Sequence, residues 1–145
     1  MRRLRKFIAL TSARRAIVLR SLLLLPTVAA MLRMRGMGRT TTWIERLRPR
    51  SEDDALPPRD IARLVDAAAS LLGARCLSRS LVLWHLLRIR GVSAELRLGV
   101  SKPISGRLLA HAWVELDGEP LNDGPDVCQR YVGLCRWQSN APHPL

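Results

Sequence analysis

Residues 76–123 constrain this chain most, because three patterns follow one another there without a gap. Gly73 and Arg75 precede Cys76, an apolar run over 77–87 follows it, and Gly91 ends the run, so a cysteine heads a largely buried helix. Val92, Ala94, Leu96, Leu98 and Val100 then alternate with Ser93, Glu95, Arg97 and Gly99, the period of a half-buried strand. A further strand is expected over 108–116 and another over 119–123, across a turn at Asp117-Gly118. Helices followed by a small antiparallel sheet make this an α+β chain.

The same stretch carries the candidate chemistry. At a helix start, free backbone N–H groups and the helix dipole favour negative charge, which suits a nucleophilic sulfur at Cys76. His111 lies in the strand-like run Ala110-His111-Ala112-Trp113-Val114-Glu115, and Asp123 lies just beyond the turn. A thiol nucleophile needs a base within hydrogen-bond reach, and the base needs a third group to hold its tautomer. Taken singly, each has a plainer reading: a small buried cysteine, a packed strand histidine, an aspartate in a turn before Gly124-Pro125. His85, inside the cysteine helix, reads as a structural residue more readily than as a second base.

Register sharpens the expectation. A two-residue turn at Asp117-Gly118 would set Asp123 opposite Ala112, placing His111 and Asp123 on opposite faces of the hairpin. An odd-length loop, Leu116-Asp117-Gly118 or Asp117-Gly118-Glu119, restores a common face and is the form expected.

These residues carry a resemblance. Cys76-Leu77-x-Arg79-Ser80-Leu81, Arg90-Gly91-Val92-x-Ala94-x-Leu96, Ala110-His111-Ala112-Trp113-Val114-Glu115 and Asn122-Asp123 resemble the transglutaminase-like cysteine peptidases of lasso-peptide biosynthesis, in their stand-alone leader-peptidase form. The resemblance covers roughly residues 56–135 and implies a transglutaminase-like (papain-like) core. It implies Cys76 as nucleophile, His111 as general base and Asp123 as orienting acid, working without a cofactor or metal. The implied reaction removes the leader from a ribosomally made precursor peptide through a thioester. Capture of that thioester by an amine, as in an acyltransferase, is the related alternative. Implied partners are the precursor, a separate leader-recognition protein, and a macrolactam synthetase that closes the freed core.

Upstream, the chain divides into a helical basic region over 1–50, expected to pack on the core, and a catalytic part over 51–145. Arg2, Arg3, Arg5, Lys6, Arg14, Arg15 and Arg20 lie among apolar residues at helical spacing. The uncharged run 21–32, broken by Pro26, falls short of the ~20 residues needed to span a bilayer. Packing on the catalytic half is the first reading, a membrane-surface helix the second, and a cleaved signal around Thr27-Val28-Ala29-Ala30 the third. Gly36 and Gly38 mark a break, after which Thr40-Thr41-Thr42 are expected to cap a short helix through Trp43, Ile44 and Leu47. A charged, proline-bearing linker covers 49–58, and a helix with an Ile61, Leu64, Val65, Ala68, Leu71, Leu72 stripe precedes Gly73. Past Gly124-Pro125, a last strand is expected within 127–137 and a loose end over 142–145.

Composition bounds the function. A net charge of +12 calls for an acidic partner, whether a peptide, a membrane surface or a nucleic acid. Aromatics at 4% leave no stacking platform, which argues against nucleic acid; a basic adaptor on a membrane or nucleic acid is the non-enzymatic alternative. Three cysteines, Cys76, Cys128 and Cys135, make no disulfide framework and suit a reducing, cytoplasmic setting, with membrane association open. A zinc site from Cys128, Cys135 and His143 or His85 lacks the usual ligand spacing.

Overall fold

In the computed structural model, residues 11–47, 56–101 and 106–138 are described. They form α1 (Ser12–Arg46), α2 (Pro58–Leu72), α3 (Cys76–Arg88), β1 (Glu95–Ser101), β2 (Leu109–Leu116), β3 (Glu119–Pro120), α4 (Val127–Arg130) and β4 (Val132–Gln138). The four strands make one antiparallel sheet in the order β3-β2-β1-β4. The expected α+β order of helices and then a small antiparallel sheet is therefore present. The expected strand over 119–123 is only the two residues of β3, and the final segment begins with the short α4 before β4.

Three helices and one sheet face share a single core. Ile17, Leu25, Val28 and Ile44 of α1 join Ile61 and Val65 of α2, Leu83 and Leu87 of α3, and Leu96 and Val114 of the sheet. By length and composition α1 could cross a membrane, with a mean hydropathy of 1.7 over its most apolar window. Only 28% of that window is buried, through residues such as Leu25 and Val28 that share a core with α2 and α3, while Leu19 and Leu23 are exposed. Arg14 pairs with Asp60 of α2 at 2.7 Å. Arg88, buried at the end of α3, donates from Nη1 to the carbonyls of Ile44 and Leu47, capping α1 with a cation where its dipole is negative.

The glycine break falls at Gly36, whose φ of 71° and ψ of 177° turn the axis within α1. The threonines after it are not caps. Thr40 donates to the Gly36 carbonyl and Thr42 to that of Gly38, so these hydroxyls bond back into a helix already begun. At α2, Gly73 is left-handed (φ 61°) and closes the helix, with the Ala74 N–H returning to the Ala69 carbonyl. That tight exit sets Cys76 at the first position of α3.

His85 is buried in the second half of α3, away from the helix start, with no hydrogen-bond partner for Nδ1. Burial, and then the nearby charges of Arg88, Arg20 and Arg90, push its pKa down from 6.5 to about 4. The folded protein therefore keeps His85 neutral where the unfolded chain takes up a proton. The associated stability is present above about pH 6.5 and is lost as pH falls toward 4, amounting to roughly 3 kcal/mol at full extent. We expect His85→Leu to gain on the wild type by that order between pH 7 and pH 4 in urea denaturation. A constant difference between the two across this range would show that His85 is not the group responsible.

Candidate active site

Antiparallel pairing decides which backbone groups of β2 point where. Leu116 pairs with Glu119 and Glu115 with Pro120, so the turn is the two-residue Asp117-Gly118, with φ of 52° and 80°. The odd-length loop expected from the sequence is not formed. Asp123 nonetheless meets His111: its Oδ2 is hydrogen-bonded to the ring Nε2. The alternation rule fails here because the ladder ends before Asp123. Leu121 still donates to the Val114 carbonyl at 2.8 Å, but the Val114 N–H is taken by the Asn122 side-chain oxygen at 2.8 Å. With a side chain standing in for the main-chain acceptor, the backbone leaves the sheet and carries Asp123 to the histidine.

The same asparagine ties the hairpin to the cysteine helix. Asn122 Nδ2 donates to Ser80 Oγ at 2.9 Å, and Ser80 donates to the Ala112 carbonyl at 2.9 Å. That carbonyl lies on the β2 edge left open beyond β3. Farther along α3, Trp84 Nε1 donates to the carbonyl of Ala94, just before β1 begins opposite the far end of β2. From Ser80 to Trp84 the helix thus runs toward the hairpin turn, so the preceding turn lies toward His111. Cys76 is four residues before Ser80, on the same helix face and about 6 Å back along the axis. Cys76 is half-buried and makes no hydrogen bond to His111. The N–H groups of Cys76, Leu77 and Ser78 have no acceptor among the described residues, and no side chain caps the helix.

Asp123 is held on both oxygens. Oδ1 accepts from the Gly124 N–H at 2.8 Å and from Arg130 at 2.9 Å, while Oδ2 faces His111. Burial works to raise its pKa, but the hydrogen bonds from His111 and Gly124, the His111 charge and Arg130 together hold it below the ordinary carboxylate range. Asp66 of α2 stands in the same field: burial raises its pKa, Arg79 opposes this, and the Asp123 charge adds to it. Arg79 links both regions, reaching Asp66 at 3.5 Å and the Asn122 carbonyl at 3.1 Å.

The imidazole is also fixed by rings. Tyr131 stacks on His111 at 4.8 Å between centroids, and Trp113 lies 6.1 Å from His111 and 6.3 Å from Tyr131. The Trp113 N–H donates to buried Glu115, which also faces Arg97 and accepts from Cys128. Gly99, opposite His111 in β1, makes room: a Cβ there would sit 2.9 Å from both Trp113 and Tyr131. His111 and Asp123 each stay less than one-fifth exposed.

Residues 16–136 match the family described as the transglutaminase-like superfamily. The chain belongs to that superfamily. No curated protein and no solved structure matches it. The transglutaminase-like span begins inside α1 and ends within β4, so all eight elements fall wholly or largely inside it. Cys128 is hydrogen-bonded to Glu115, Cys135 lies on exposed β4, and His143 lies outside the described residues. No group of three His, Cys, Asp or Glu among the described residues could hold a metal ion.

Sequence reasoning missed Asn122 as a structural hinge, Ser80 as its anchor, and Tyr131, Arg130 and Asp66 as neighbours of the site. Gly99 was the available signal, since a glycine inside a strand marks close approach of another group. We expect Gly99→Ala to destabilise the fold by roughly 1–3 kcal/mol through overpacking. It should also loosen His111, measurable as a broadened imidazole NMR resonance. A sharp, unshifted His111 signal in this variant would remove the role given to the ring stack.

Proposed function

We propose that the chain is a cysteine endopeptidase that removes the leader from a ribosomally synthesised lasso-peptide precursor, with Cys76 as nucleophile, His111 as general base and Asp123 as its orienting acid. The observation that carries this reading is the His111–Asp123 hydrogen bond on a hairpin to which the uncapped, Cys76-bearing helix is tied through Ser80 and Asn122, in a chain of the transglutaminase-like superfamily. The leader-peptidase assignment rests on the residues around Cys76, His111 and Asn122-Asp123 that resemble that group.

Chemistry follows from the groups. Asp123 occupies Nε2 of His111, leaving Nδ1 to take the Cys76 proton. The sulfur attacks the scissile carbonyl carbon, and the resulting oxyanion is met by free N–H groups at the start of α3, that of Cys76 first. The C–N bond breaks as Nδ1–H protonates the leaving amine. Water then gives its proton to Nδ1 and adds to the thioester, and collapse expels the Cys76 sulfur with the acid product. An amine in place of water would make the enzyme an acyltransferase through the same thioester.

Three partners complete the proposal: the precursor peptide, a separate recognition protein that docks on the helical, basic N-terminal part and brings the leader, and a macrolactam synthetase acting on the freed core. Tethering by a recognition protein raises effective substrate concentration into the mM range, offsetting weak intrinsic affinity. We place the reaction in the cytoplasm, with α1 available for contact with a membrane surface.

Incubation with the precursor encoded beside the gene, with mass readout, tests the proposal. Cys76→Ala should lose at least about a thousandfold in rate without losing the fold, whereas Cys128→Ala and Cys135→Ala should stay active. Asp123→Asn should lower the turnover number, because the His111 tautomer is no longer held. Near wild-type cleavage by Cys76→Ala would refute the nucleophile, and release of an amine-capped product would favour the acyltransferase. Adding the recognition protein should speed cleavage; full activity without it at low micromolar precursor would remove that partner.

A further inference from the structure

A groove of about 990 Å³ opens between α1 and the turn that joins α2 to α3. Ala29, Ala30 and Leu32 line one side and Leu72 and Leu77 the other, with Arg33 and Arg75 among the lining residues. This hollow is apolar in its walls, yet it is not closed over by the core that fills the other side of α1. Neither arginine side chain makes an ion pair or a hydrogen bond among the described residues. Two uncompensated guanidinium groups beside an apolar trough complement an occupant that is itself apolar and carries carboxylates.

Position narrows the occupant further. Arg75 and Leu77 are the immediate neighbours of Cys76, and the groove continues onto the uncapped first turn of α3. A chain lying in the groove would therefore run beside the first turn of α3, which bears Cys76. The volume exceeds what one side chain fills and suits several residues of extended peptide, at about 3.3 Å per residue.

We infer that this groove receives the part of the substrate peptide that adjoins the scissile bond, and that it selects apolar residues next to a carboxylate. The inference rests on the peptidase reading and adds to it a substrate class and a specificity surface. α1 is then part of the binding site, and Arg33 is its charge-reading residue.

The test uses the full chain carrying Cys76→Ala, so that binding is read without turnover. The probes are two fluorescein-labelled peptides, one with a run of leucines followed by glutamates and one with lysines in place of the glutamates. Fluorescence anisotropy should show the acidic peptide binding at least about tenfold more tightly. Ala30→Trp, at an exposed position, should fill the groove and weaken that binding by about tenfold or more, and Arg33→Glu should invert the preference between the two peptides. Far-ultraviolet circular dichroism checks the fold of each variant, and Arg33→Glu decides the matter if Ala30→Trp does not fold. Equal binding of both peptides, or binding indifferent to both substitutions, overturns the groove. So does failure to bind either peptide, including the case where anionic vesicles bind instead. Binding with the expected preference in a protein whose wild type does not cleave the precursor supports the groove and removes the peptidase reading. Cleavage by the wild type with a KM unchanged in both variants overturns the groove alone.

Discussion

One side-chain hydrogen bond sets the geometry of the whole site. By accepting from the Val114 N–H with its amide oxygen, Asn122 ends the β2–β3 ladder, and its amide nitrogen donates to Ser80 of α3. All three polar groups are buried, so each needs a partner, and each finds it in the others or in the Ala112 carbonyl. Apolar packing alone would allow α3 to slide along the sheet. The directional bonds at Ser80 and Trp84 do not, and they fix how far along β2 the start of the helix lies.

Much of the fold was legible because local signals agreed. The stripe of α2, its glycine stop, the unbroken apolar run after Cys76 and the alternation from Val92 all point to the elements that form. The misreadings share a cause: in each, a side chain competed with the backbone. Thr40 and Thr42 were read as caps because their hydroxyls favour helix starts, but the same hydroxyls bond preceding carbonyls inside a helix. Strand alternation placed Asp123 on the wrong face of a simple hairpin because it assumes that main-chain pairing continues. Nothing in a period of two reveals that the Asn122 side chain will stand in for the Leu121 carbonyl as acceptor of the Val114 N–H. Arg130 and Tyr131 were invisible for another reason, since they reach the site from β4's side of the sheet, across β1 from His111.

The helix upstream of this chemistry is not an appendage of it. Arg88, from the end of the cysteine helix, closes the carbonyls at the end of α1, and Arg14 near its start reaches α2. With Ile17, Leu25, Val28 and Ile44 in the common core, α1 is fastened at both ends and along its length. The basic residues on its outer face can therefore be spent on recognition without loosening the site. Superfamily membership that begins inside α1 agrees with this economy.

The spacing of the contacts also orders the assembly of the site in time. His111 and Asp123 are twelve residues apart and close through a two-residue turn, whereas the Ser80–Asn122 bond that docks the cysteine helix spans forty-two. Loop-closure entropy favours the shorter connection by about 1 kcal/mol, and hairpins form in roughly 1–10 μs, faster than most long-range docking. The histidine and its carboxylate are thus a local product of the hairpin, while the thiol is delivered only when α3 seats on the sheet. A partly folded chain would hold the His111–Asp123 pair before α3 has docked.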